Sequence, residues 1–449
     1  MTPVYYILGV LIFVVALLAS VGLHECGHMV PAKRFGVRVP HFFIGFGKTL
    51  WSRQKGDTLY GIKALPLGGY VKIVGMFPPS KDGIEADATA EGEPAGLRLR
   101  QSNTGMFTQL ISDARAAEWE WVRPEDTDRL FYKLTWWKKV VVMAGGPTVN
   151  LVIAFLIFGG VFATYGNPSD QYLKPVVSTV SGCVVPVAQE GRKCTAADPK
   201  SPALVAGLQP GDRLVSFNGT PVTSWERLQT QIRGNDNGRA VIVVERGGSQ
   251  QTLTTNTSVT LRPDLVDTNK QVEVGFLGVS PTVSGPTTGG PIYTLTQMGT
   301  MTKDVGTALV QLPANVFKVA KAIVGLEQRD PEGPISIVGG GRIAGETAAA
   351  QNFPVKEKAV ALLLLIAGFN FFIGMLNLVP LLPLDGGHIA GALYEEARRR
   401  LARLLKRPDP GHADVAKMLP IVYVVASILL VFGVVLMVGD IVVPVHLTS

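Results

Sequence analysis

The run over residues 4–23 contains no charged residue. At about 1.5 Å per helical residue, roughly twenty such residues cover about 30 Å, the thickness of a bilayer's hydrocarbon core. In lipid every backbone N–H and C=O must be satisfied by the chain itself, so the run is read as a membrane helix. It extends to Val30, and three further runs, over about 140–165, 359–382 and 418–443, are long enough to span. Of 449 residues, 47% are hydrophobic and 17% charged, which suits a polytopic α-helical membrane protein carrying soluble parts. The first run lacks a basic leading region and a small-residue cleavage site, so it is expected to stay as an anchor.

That run ends in Leu23-His24-Glu25-Cys26-Gly27-His28. Helix residues four apart share one face, so His24 and His28 can hold one metal ion between them. Glu25 is then placed to take a proton from a water at that ion. The alternative is two polar residues marking the edge of an ordinary helix, and it is weakened by the cost of ionisable groups at membrane depth. A zinc site needs at least a third protein ligand and keeps one position for water. The candidate lies far along the chain, in Asn377-Leu378-Val379-Pro380-Leu381-Leu382-Pro383-Leu384-Asp385-Gly386-Gly387-His388. Asp385 is the first carboxylate after the third apolar run, although Asp385-Gly386 alone reads equally well as a turn.

Together the two stretches resemble the site-2 protease family of intramembrane zinc metalloproteases, which pairs HExxH on its first core helix with LDG on its third. The resemblance covers nearly the whole chain. It implies that His24, His28 and Asp385 bind one Zn2+ per chain, that Glu25 is the general base, and that Asn377 contacts substrate. Family members commonly carry prolines three and five residues beyond that asparagine. Here Pro380 fits but Pro383 falls six beyond, which leaves the backbone path before Asp385 open.

In chain order, the first membrane helix is expected over 1–31. A membrane-associated β-hairpin region follows over 32–77, where Gly68-Gly69 interrupts short apolar runs. By the resemblance this region lies beside the active site and pairs with an extended substrate, which suits a substrate helix that must unwind before hydrolysis. Residues 78–137 read as a cytoplasmic insertion with helix around 108–121 and no assigned chemistry. The second helix, over 138–166, begins Met143-Ala144-Gly145-Gly146-Pro147-Thr148-Val149-Asn150. Its small residues let helices approach closely, and Asn150 can hydrogen-bond across the interface. Packing alone explains Asn150, while the resemblance implies a place in the active-site cleft.

Residues 174–282 read as one β-rich α+β domain. Its stretch Pro210-Gly211-Asp212 to Asn218-Gly219 is similar to PDZ domains of the bacterial protease type, although no carboxylate-binding loop stands out. Such a domain either adds a peptide as a strand or acts as a steric gate. An extracytoplasmic linker with an amphipathic helix is expected over 283–357, and the third helix, carrying LDG, over 358–386. A cytoplasmic basic loop over 387–417 and a fourth helix over 418–443 complete the chain. Cys26, between the two histidines, points to another helix face. Cys183 and Cys194 both fall in the external domain, where a disulfide is permitted and two free thiols remain the alternative.

Basic residues cluster after the first run and between the third and fourth, so both loops are expected inside and residues 166–358 outside. The net charge of +7 is thus explained without nucleic acid. The expectation is a multi-pass protease of the bacterial plasma membrane, with its active site near the cytoplasmic side. Resemblance is greatest to the branch that releases sigma factors, in the actinobacterial form with a single PDZ domain. Its substrates would be single-pass membrane proteins such as anti-sigma factors, cut after an upstream site-1 protease and in contact with membrane lipid. The rival readings are a PDZ scaffold without activity and a metal transporter.

Overall fold

A computed structural model describes residues 3–79, 84–86, 97–99, 106–185, 192, 194–264, 271–351 and 353–446. The chain divides into two compact units, Met1–Ala163 with Gly289–Ser449, and Thr164–Thr288. Among the described residues, four helices are long and apolar enough to cross a membrane: Pro3–Arg34, Trp136–Thr164, Val355–Asn377 and Val415–Val442.

The first unit opens with α1 (Pro3–Arg34), β1 (His41–Lys55), β2 (Thr58–Lys72), the short β3 (Ile84–Ala86) and β4 (Leu97–Leu99), α2 (Met106–Trp119) and α3 (Trp136–Thr164). Residues 80–83, 87–96 and 100–105 of the 78–137 insertion lie outside the described residues, but its helix is present as α2. The two long strands fold into a small sheet with an unusual register. Residues 41–44 pair with 69–72 on one side and with 59–62 on the other, while 51–55 pair back onto 58–62. Residues 69–72 therefore form the rim, and among the described residues nothing pairs with their outer edge. Phe43 stacks on Tyr70 at 5.6 Å, holding the rim strand to its neighbour.

The second unit holds β5 (Leu173–Val180), α4 (Pro202–Ala206), β6 (Arg213–Phe217), β7 (Thr220–Pro221), α5 (Trp225–Arg233), β8 (Arg239–Arg246), β9 (Ser249–Asn256), β10 (Ser258–Pro263), β11 (Gln271–Phe276) and β12 (Val279–Val283). One sheet runs β12-β5-β6-β8-β9 and β10 pairs with β11. Its local signals are those of the sequence. Ser201 caps α4, accepting from the Leu204 N–H at 3.2 Å, and Ser224 does the same for α5. Asn218 and Gly219, both with positive φ, make the tight turn between β6 and β7. Phe217, Trp225, Leu228 and Ile242 fill the core between helix and sheet. Cys183 and Cys194 are joined by a disulfide.

The first unit resumes with α6 (Pro291–Ile323), α7 (Ile337–Ala349), α8 (Val355–Asn377), α9 (Asp385–Leu404) and α10 (Leu419–Val442). Three expectations need correction here. Residues 283–357 are more than a linker with an amphipathic helix: besides α6 they hold a second helix, α7, which packs tightly on α1. A Cβ on Gly9 would lie 2.3 Å from the Ala344 carbonyl oxygen, and one on Gly345 would lie 2.7 Å from Tyr6. The glycines that read as loop serve close helix packing. The third membrane helix does not reach 386: α8 ends at Asn377, since Pro380 and Pro383 lack the N–H a helix needs and disfavour helical geometry in the residue before each. Residues 387–417 are not a loop but largely α9, whose charges repeat at helical spacing. Glu396 pairs with Arg400 at 2.7 Å and Glu395 with Arg399 at 3.1 Å.

Buried charge fixes α9 to its neighbours. Glu395, 2% exposed, pairs with Lys139 of α3 at 2.9 Å and accepts from the Ala413 N–H at 3.0 Å. Burial alone would raise its pKa, but hydrogen bonds from His412, Lys139 and Ala413 outweigh that and hold it at about 2. Such a pair is costly to break from one side, because the partner is left charged and dry.

Candidate metal centre

Close approach of α1 and α3 comes first, because it decides where two imidazoles can go. A Cβ on Gly145 would lie 1.9 Å from the Gly27 carbonyl oxygen, so the helix backbones touch at this glycine pair. One residue on, a Cβ at Gly146 would lie 2.3 Å from His28 Nε2 and 2.7 Å from His24 Nε2. The missing side chain at Gly146 is the space the two rings occupy. On α1 the rings stand one turn apart, with Nε2 atoms 3.2 Å from each other.

Asp385 reaches them from the other end of the chain. After α8 the proline-containing turn folds back, and Gly386 and Gly387 press against it. A Cβ on Gly386 would lie 2.2 Å from the Val379 carbonyl oxygen. Asp385 thus becomes the first residue of α9, where the helix N-terminus favours a carboxylate. Its Oδ2 lies 3.4 Å from His24 Nε2 and 3.3 Å from His28 Nε2.

The donor set fits zinc. His28 Nδ1 lies 2.8 Å from the Val142 carbonyl oxygen, which can only accept, so Nδ1 carries the proton and Nε2 keeps its lone pair. That lone pair points at a second imidazole and a carboxylate. The ligand atoms of His24, His28 and Asp385 all lie within 4.8 Å of one another. Asp385 Oδ2 is buried without a hydrogen-bond donor, and a cation shared by the three groups would satisfy it.

Around this cluster lies a cleft of about 420 Å³, lined by Glu25, Asn150, Asn377, Pro383 and residues 68–71, among others. Gly69 lies hard against α1, where an added Cβ would sit 3.3 Å from Glu25 Cγ, so the rim strand runs beside the carboxylate. Asn150 is 1% exposed, and its Nδ2 and Oδ1 are both buried without a partner. Pro380 does not line the cleft; it belongs to the turn that delivers Asp385. Cys26 lines a separate apolar groove with Leu23, Val30 and Val141, away from the cluster.

Two residues at the site, one lining the cleft and one facing the imidazoles, went unassigned in the sequence. His388 stands three residues after Asp385 on α9, a spacing that puts both on one helix face and offered a signal. Gly146 offered only its smallness, which reads as packing until the rings are placed.

Comparison with known proteins places the chain in a family. The model of the family described as peptidase family M50 matches residues 12–407. The chain is 32% identical over 459 residues to the zinc metalloprotease Rip1 of Mycobacterium tuberculosis, covering 98% of this chain and 99% of that protein. It is 32% identical over 449 residues to zinc metalloprotease Rip1 of Mycolicibacterium smegmatis, covering 97% and 98%.

Proposed function

The chain belongs to peptidase family M50, the site-2 proteases, and from that premise we propose that it hydrolyses peptide bonds within the membrane spans of single-pass proteins. That it is a zinc metalloprotease and a membrane protein follows from the family; the residues and substrates are our reading. The observation that carries this reading is the meeting of His24, His28 and Asp385, from opposite ends of the chain, beside Glu25 and an unpaired strand edge.

His24, His28 and Asp385 would hold the zinc, which when bound would supply Lewis acidity toward a water and a peptide carbonyl. Glu25 takes a proton from the attacking water and returns it to the leaving amine, so the peptide bond is replaced by a carboxylate and a free amine. A substrate span must unwind to be cut, which frees backbone groups in a medium with no water to bind them. The rim strand, with Gly68 and Gly69, offers an edge to which an extended segment can add. Asn150 and Asn377 hold that segment by side-chain hydrogen bonds from the cleft wall. For Asn150 this explains a carboxamide left unpaired, at a cost of about 1–3 kcal/mol for each unsatisfied group.

The substrates we favour are anti-sigma factors already trimmed outside by a site-1 protease. The positive-inside asymmetry supports a bacterial plasma-membrane protein with cytoplasmic loops after α1 and after α8, and the second unit outside. That unit is read as a PDZ domain. Its β12 lies at the edge of the sheet, and a groove of about 190 Å³ runs between α5 and residues 274–279, including Trp225 and Phe276. This groove gives strand addition a place, alongside the steric gate.

Two experiments test the reading. Purified protein in lipid vesicles with a single-pass substrate is expected to cut inside the span, as mapped by mass spectrometry; cuts confined to water-exposed flanks would contradict it. Replacing residues 174–282 by a short linker is expected to let substrates with bulky external domains be cleaved. If they stay resistant while trimmed ones are cut, this domain is not the gate.

A further inference from the structure

The insertion between β2 and α3 holds the cleft's rim strand through one carboxylate. Glu118, on α2, is 6% exposed, and its donors lie at the last residue of β2 and just beyond it. Its Oε1 accepts from the Gly75 N–H at 3.0 Å and the Met76 N–H at 3.3 Å, and its Oε2 pairs with the Lys72 ammonium. These donors directly follow residues 68–71, which line the metal cleft, and Ile73 and Met76 line it too. A buried carboxylate taking three donors fixes where that stretch of backbone runs.

The same helix is anchored elsewhere. One turn before Glu118, Arg115 grips both oxygens of Asp414 at 2.6 and 2.5 Å. The neighbouring Ala413 donates to Glu395 of α9, the helix that begins with Asp385. Through α2, the rim strand is therefore tied to the loop that also clamps the Asp385 helix.

We propose that Glu118 is a positioning residue for proteolysis: it sets the rim strand at the distance from the zinc cluster that an added substrate strand requires. Residues 78–137 thereby acquire a role in substrate binding although none of the described residues among them lines the cleft. The inference rests on the strand-pairing reading given above. A merely structural ion pair would, when broken, lower stability and leave the substrate affinity of the surviving folded enzyme unchanged. A positioning residue shifts KM in folded, zinc-loaded protein.

The test uses the full-length protein in lipid vesicles, with the parent cleaving a single-pass substrate as control. If the parent itself cleaves no span, the proposed function fails; the inference is judged against a parent that does. Glu118→Ala is expected to raise KM about tenfold, in line with losing a charge-assisted hydrogen bond, with kcat changed less and zinc content unchanged. Glu118→Gln keeps an acceptor for the two N–H groups and is expected to recover most of that loss. Lys72→Met breaks the same contact from a side chain 28% exposed and is expected to raise KM in the same direction, which carries the test should Glu118→Ala fail to fold. An unchanged KM in zinc-loaded Glu118→Ala, or in Lys72→Met, overturns the proposal. So does loss of zinc in step with activity, which would place the brace on the metal ligands instead of the strand.

Discussion

Glu25→Gln is expected to abolish cleavage while leaving zinc at the parent level. Glutamine matches glutamate in size and can still accept a hydrogen bond, so the cleft keeps its shape. It cannot take a proton from the attacking water or hand one to the leaving amine. General acid–base catalysis is worth about 10²–10⁴ in rate, and Glu25 serves both transfers, so a loss of at least about 10³-fold is expected. A cleavage assay read beside metal analysis decides it. Retained activity would remove Glu25 from the proton path, and lost zinc would make it a ligand.

Gly146→Ala should also be damaging, by a route that no reacting group explains. On α3, a helix, alanine is favoured over glycine by about 1 kcal/mol, so propensity alone predicts a small gain in stability. The added methyl would instead sit 2.3 Å from His28 Nε2 and 2.7 Å from His24 Nε2, displacing the two nitrogens whose lone pairs converge. We expect zinc affinity to fall about 10–100-fold, as for other changes that disturb the orientation of metal-bound imidazoles, while the helix content stays. Gly160 on the same helix is the control, since a Cβ there meets nothing within 4 Å. Gly160→Ala should keep full zinc. Equal zinc affinity in the two variants would mean that the rings do not depend on the gap at Gly146.

What the sequence made legible follows the range of the interactions concerned. The spans are set by composition over some twenty consecutive residues, so α1, α3, α8 and α10 stood out. His24, Glu25 and His28 share one helix turn, and local spacing is enough to group them. Asp385 stood out only as the first carboxylate after the third apolar run, and it took the resemblance to make it a ligand, because the fold that brings it to α1 depends on a turn whose proline spacing departs from the usual. The helix α7 was hidden by Gly339, Gly340 and Gly341, which read as loop in the sequence and serve close helix packing in the structure. In α9 a run of arginines masked the glutamates paired to them at helical spacing. The rim position of residues 69–72 was illegible for a different reason. Their pairing with residues 41–44 is non-local, and one strand segment pairs on both sides, which no alternation of polar and apolar residues encodes.

We propose that residues from opposite ends of the chain hold one zinc ion, and Asp385→Ala puts that to the test. Two imidazoles without the carboxylate leave zinc short of the three protein ligands that a catalytic site keeps. Element analysis of the purified variant, beside the parent and Glu25→Gln, is expected to find the metal lost from Asp385→Ala and retained in the other two. Full zinc occupancy in a folded Asp385→Ala protein would contradict the account.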